Sequence, residues 1–120
     1  MLKGDHFYVG DNYGELQCLE AATGKRVWGS RKPTGDTQWD SAHLTPNGDR
    51  VFIFNDQGQL IVARLSPRGY KELSRVQVIA PTVGTRGERA VTWAHPAYAN
   101  KHLFVRSDKE LLCLPLASKP

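Results

Sequence analysis

Three stretches of this chain can be laid over one another by sliding it along itself. The central stretch, Ala42 to Leu65, reads AHLTPNGDRVFIFNDQGQLIVARL. An offset of 52 residues brings Ala42-His43 onto Ala94-His95, Phe52 onto Phe104 and Asp56 onto Asp108. An offset of 44 in the other direction brings Gly48-Asp49 onto Gly4-Asp5, Phe52 onto Tyr8, Gly58 onto Gly14 and Leu60 onto Leu16. Three copies at such spacings restrict the chain to repeat architectures, in which each unit buries its apolar surface against the next one.

The pattern inside each copy is strand, tight turn, strand. Val51-Phe52-Ile53-Phe54 is a β-branched and aromatic run of strand length, and Leu60-Ile61-Val62-Ala63 is its returning partner. Asn47-Gly48-Asp49 and Asn55-Asp56-Gln57-Gly58 supply the turns, because Asn and Gly accept positive φ at little steric cost. The first copy runs from a strand at His6–Gly10 through the turn Asp11–Gly14 to a strand at Glu15–Glu20. It turns again at Ala21–Lys25, and a further strand begins at Arg26-Val27-Trp28. Gly29 to Thr37 reads as a loop, Gln38 to Leu44 opens the second unit, and a strand from Tyr70 to about Ile79 closes it. After a polar loop at Ala80–Arg89, Ala90 to His95 opens the third unit, followed by strands at Leu103–Arg106 and Glu110–Leu116. No window holds an apolar period of 3.6 with helix caps.

The expected fold is therefore all-β, with roughly ten short strands grouped three, four and three. The first unit is expected to lack its opening strand and the last its closing one. Four-stranded antiparallel units at about 40- to 50-residue spacing are the signature of propeller blades. About two and a half blades are present, with unit boundaries at 1–37, 38–89 and 90–120.

Residues Cys18 to Trp28, CLEAATGKRVW, resemble the tryptophan motif of quinoprotein-like (PQQ-type repeat) β-propellers, written roughly A-x-D-x-x-T-G-x-x-x-W. Thr23, Gly24 and Trp28 match in type and spacing, while Glu20 stands at the acidic position and Cys18 at the small one. The resemblance implies that the turn residues fix a hairpin and that Trp28 packs flat against the neighbouring blade, burying a large area. In the second unit the motif has decayed to Ala63–Gly69 without a Trp, and the third stops short of it. Ala42–Ala63 and Thr92–Asn100 also resemble the C-terminal blades of large bacterial PQQ-binding-like repeat proteins. Enzymes of this fold hold pyrroloquinoline quinone and calcium in a central funnel. The resemblance would there imply a stacking Trp, a ring of adjacent cysteines, cationic contacts and an Asp, Asn and Glu set. This chain has no vicinal Cys pair, and its acidic residues sit mostly in turns (Asp11, Asp36, Asp49, Asp56, Asp108), which explain them. Calcium needs about six to eight converging oxygens. The expectation is that this chain binds neither PQQ nor calcium.

Charge and cysteines narrow the field further. The net charge is +4, but the sixteen Lys and Arg are scattered rather than gathered into a phosphate-binding stripe, so no nucleic-acid partner is expected. Cys18 and Cys113 hold matching places in the first and third repeats, too far apart for a bridge, and are expected as buried free thiols. No signal peptide or membrane span is visible. The family resemblance suggests a periplasmic or secreted protein if the N-terminus is truncated.

Four residues are candidates for binding. His43 and His95 fall at equivalent positions of opening strands, which line the channel of a propeller, where two imidazoles meet a metal or an anion or else bond within their own blades. Trp39 and Trp93 precede them by four and two positions, and offer an aromatic platform for a sugar or packing between blades. Ser41 and Ser74 have no Gly-x-Ser-x-Gly context. Gly84–Arg89 is rich in glycine and cation but precedes no helix start, which leaves it a connector. The expected function is a non-catalytic scaffold or interaction module, meeting a protein partner or a second copy through open blade edges. The alternative is a fragment of a PQQ-dependent oxidoreductase whose cofactor site lies outside this chain.

Overall fold

A computed structural model describes residues 1–11, 13–35, 40–82 and 89–117. Its strands are β1 (Leu2–Lys3), β2 (His6–Gly10), β3 (Leu16–Glu20), β4 (Arg26–Ser30), β5 (Ala42–Asn47), β6 (Arg50–Asn55), β7 (Gln59–Ser66), β8 (Gly69–Gln77), β9 (Ala97–Ala99), β10 (His102–Arg106) and β11 (Leu111–Pro115). They form three sheets, ordered β1-β2-β3-β4, β5-β6-β7-β8 and β9-β10-β11, and every pairing is antiparallel. There is no helix among the described residues. The up-and-down four-stranded middle sheet is the one expected from the sequence.

The repeat extends to the register of the ladders. Thr45 faces Phe52 in the second sheet, and Ala97 faces Phe104, each 52 residues later, in the third. Tyr8 faces Cys18 just as Phe52 faces Val62, 44 residues on. The third strand is bulged at the same place in the first two sheets, between Cys18 and Leu19 and between Val62 and Ala63. Each turn between second and third strands is held by one side chain in the same position. Asp11 accepts from the amides of Tyr13 and Glu15 at 2.8 and 2.9 Å, and Asn55 from those of Gln57 and Gln59, both at 3.1 Å. Ser107 accepts from Lys109 and Glu110 at 3.1 and 3.3 Å. Three different residue types do one job, because each places an oxygen next to the amides of its own turn.

Three expectations about the strands need correction. The first unit does have its opening strand, as the stub Leu2–Lys3, where Leu2 faces Phe7 at the register Pro46 has with Val51. Met1 extends it by exchanging backbone hydrogen bonds with Tyr8. The opening strand of the third unit is Ala97–Ala99, not Ala90–His95. Pro96 has no amide to give a ladder, and the preceding segment keeps only an isolated bridge between Thr82 and Val91. Finally, β4 continues through Gly29 and Ser30, so the first connecting loop begins later than its composition indicates.

The three sheets lie side by side in a slab 44 × 43 × 19 Å, and apolar cores fill the two gaps between them. Side chains alternate across each pleat, so every sheet has a forward face toward the next unit and a rear face toward the previous one. Tyr8, Leu16 and Cys18 on the first forward face meet Val51, Ile53, Ile61, Ala63 and Leu65 on the second rear face. Phe52, Phe54 and Leu60 on the second forward face meet Leu103, Val105, Leu112 and Leu114 of the third sheet. Trp28 seals the first gap. It is partly buried, its ring centroid lies 6.1 Å from that of Tyr8, and its indole N–H donates to the Ser66 carbonyl of the second sheet at 2.8 Å. Cys18 is buried in this core, as expected, but Cys113 is exposed. Both occupy forward faces, since Cys18 faces Tyr8 and Cys113 faces Phe104. Only the first of these faces is covered by another sheet.

Candidate functional site

The polar residues gather at the end of the slab that carries the β2–β3 and β6–β7 turns and the connections between units. Asn55 and Asp56 begin the β6–β7 turn, which closes through Gly58 at φ +79°. A Cβ on Gly58 would collide with the Ile79 carbonyl oxygen, so glycine is required by position as well as by conformation. Asn55 uses its amide to hold the connection between the first two units, donating to the Pro33 carbonyl at 3.0 Å. Thr34 in the same loop donates to the Gly14 carbonyl of the first unit.

Asp56 does the same for the next junction. Its carboxylate is fully buried and accepts from the Ser41 amide at 3.1 Å and from the Arg89 guanidinium at 2.9 Å. Arg89 also reaches Asp40 at 3.3 Å. The Asp56 backbone donates to the Ser41 carbonyl and accepts from the Thr92 amide at 2.6 Å. One residue therefore ties the start of β5 and the run into the third unit to a single turn. A turn residue was expected here; a buried charge is what the structure has, and it persists because a cation and an amide compensate it.

His43 lies on β5 opposite Phe54, on the forward face, and His95 comes from the segment entering the third unit. The two expected candidates are brought into direct contact, with ring centroids 3.8 Å apart and planes tilted by 36°. Burial, and then the neighbouring His95, pushes the His43 imidazole below its ordinary proton affinity, while Asp56 pulls it the other way. The neutral form of the His43 ring is therefore favoured at this contact. Trp93, two residues before His95 in the chain, is 65% exposed. Trp39 lies outside the described residues, as does the Gly84–Arg89 loop except for Arg89.

Among the described residues no group of three or more His, Cys, Asp or Glu is placed to hold a metal ion. The two thiols lie on different units, and the buried carboxylate is engaged by Arg89. A second concavity, which sequence patterns did not disclose, opens at the opposite end between the β5–β6 and β9–β10 turns. It encloses about 600 Å³, and Phe52 and Tyr98, two of its lining residues, stack with centroids 5.1 Å apart and planes within 9°. Burial pushes the Tyr98 phenol up to about 12. The aromatic recurring at Tyr8, Phe52 and Phe104 marks the repeat in the sequence, without showing that Phe52 meets Tyr98 at a concavity.

Sheets of this order and register, stacked face to face through alternating pleats, are β-propeller blades. Residues 1–63 match the family profile described as outer membrane protein assembly factor BamB, and the chain belongs to this family of PQQ-like repeats. No curated protein matches the chain. Among solved structures it is similar to the β-propeller domain of Myceliophteria thermophila Cps50 (Swd1), with a TM-score of 0.51 at 16% identity. That match covers 91% of this chain and 40% of the fungal one, so the chain spans well under half of that propeller. Among the described residues, no helix is long and apolar enough to cross a membrane.

Proposed function

We propose that this chain is a non-catalytic β-propeller segment that acts as a scaffold or interaction module, and that its partner is a protein. The observation that carries this reading is the use made of the polar residues at the turn-bearing end. Asn55 and Asp56 are spent on joining consecutive units, and His43 is stacked on His95 across the same junction. Catalysis needs a nucleophile, acid or base free to meet a substrate, and side chains committed to a junction are poorly placed for that. The family's name, an outer membrane protein assembly factor, also supports a role exercised through protein contacts. Trp93 and His95 are exposed at this end, and we place that contact there.

The competing reading is a fragment of a PQQ-dependent oxidoreductase whose cofactor site lies outside this chain. Titrating the whole polypeptide that carries this sequence with pyrroloquinoline quinone and calcium, followed by quenching of tryptophan fluorescence and by metal analysis after desalting, separates the two. The scaffold reading expects no saturable quenching and no retained calcium. Stoichiometric uptake of either would overturn it.

A further inference from the structure

Trp28 seals the first junction, and the same place in the second junction has no tryptophan. The ladders fix the equivalence. Cys18 faces Trp28 just before the bulge of the first sheet, and Leu19 faces Arg26 just after it. Around the matching bulge of the second sheet, Val62 faces Ser74 and Ala63 faces Glu72. Ser74 therefore stands where Trp28 does, on the forward face, and it is exposed. The strand beneath shows the consequence. Cys18, next to the indole, is 0% exposed, whereas Val62 is only half-buried.

The walls of that place remain. Phe52 holds the position of Tyr8. Leu103 faces Leu114 as Val51 faces Ala63, so Ala117, three residues on, stands where Ser66 offers its carbonyl to Trp28. Phe52, Leu116 and Ala117 also line the concavity at this end of the slab, and Lys101 adds a cation to it with no carboxylate among the lining residues. A complete second unit leaves room for Trp28 in the first junction, so completing the third unit would not close the place in the second. Resting on the interaction-module reading above for the kind of partner, and adding a contact at the opposite end of the slab, we infer that the second junction receives a tryptophan of a partner protein, flanked there by acidic residues. The indole lies over Val62 against Phe52 and donates to the Ala117 carbonyl, and a neighbouring carboxylate meets Lys101. A large flat ring with one donor is what the first junction already holds at this position.

Fluorescence anisotropy of a labelled, end-blocked peptide, Ser-Asp-Trp-Asp-Ser, titrated with the whole polypeptide that carries this sequence, tests this. Saturable binding is expected. Replacing the peptide's tryptophan by alanine is expected to weaken it at least about tenfold. Replacing its aspartates by asparagine is expected to weaken it about threefold at low salt. Ser74→Trp fills the place from within and is expected to lower the affinity at least about tenfold, whereas Ser74→Ala, which leaves it empty, should bind like the wild type. Absence of binding would overturn the inference, including absence because another segment of the same polypeptide fills the place. Binding unchanged by Ser74→Trp, or by loss of the peptide's tryptophan, would overturn it too. Should Ser74→Trp fail to fold, photo-cross-linking to the wild type decides instead. A peptide with a diazirine side chain next to its tryptophan is expected to label residues 98–102 or 116–117, and labelling elsewhere would overturn the site. A peptide that does not bind leaves the scaffold reading standing, whereas quinone or calcium uptake sinks that reading whatever the peptide does.

Discussion

Replacing Trp28 by alanine removes the side chain that spans the first junction. The indole is partly buried, contacts Tyr8 at 6.1 Å between centroids, and donates to the Ser66 carbonyl at 2.8 Å. Aromatic side chains bury about 150–250 Å² when enclosed. At roughly 25 cal/mol per Å², a little over half of that area is worth about 3 kcal/mol. The hydrogen bond adds about 1 kcal/mol net. Trp28→Ala is therefore expected to cost about 3–4 kcal/mol in reversible urea unfolding, and Trp28→Phe, which keeps most of the apolar contact, about 1–2 kcal/mol. Tyrosine fluorescence reports the transition in both variants. A loss below about 1 kcal/mol for the alanine variant would refute the claim that the tryptophan motif works by joining blades.

Four further outcomes follow from the same geometry. Asp56→Asn keeps an acceptor for the Ser41 amide but takes away the charge that faces Arg89, and is expected to cost about 2–3 kcal/mol by thermal unfolding, discounted for the partial exposure of Arg89. Gly58→Ala meets both a positive φ and the Ile79 carbonyl, and is expected to cost about 2–3 kcal/mol, read by the same melt. His43 binds its proton more weakly in the fold than in the unfolded chain, so stability is expected to fall as pH drops through the ordinary imidazole pKa of about 6.5, and His43→Gln should flatten that slope. At nanomolar protein, Cys113 should react with a maleimide in the native state and Cys18 only after denaturation, as mass spectrometry of the labelled peptides will show.

What could be read in advance was whatever is local or periodic. The hairpins at Asn47-Gly48 and Asn55–Gly58 and the 44- and 52-residue offsets are short-range signals, and the ladders obey them. The contact between His43 and His95 was half legible, because the repeat gave the two residues equivalent positions but not a shared junction. Three things were not legible. A two-residue strand such as Leu2–Lys3 is too short to show a period of two. The tie between Asp56 and Arg89 spans 33 residues, and nothing in either neighbourhood marks it. Cys113 occupies the same kind of position as Cys18, and its exposure depends on whether another sheet follows rather than on its own strand.

The central claim is that consecutive units are blades stacked forward face on rear face. Nuclear Overhauser contacts in the isotope-labelled chain test it most directly. The account predicts cross-peaks from the Trp28 indole N–H to Ser66, between the Phe52 and Tyr98 rings, and between the His43 and His95 rings, alongside the ladder contacts within each sheet. A spectrum with the ladder contacts intact and none of these three inter-sheet sets would contradict it.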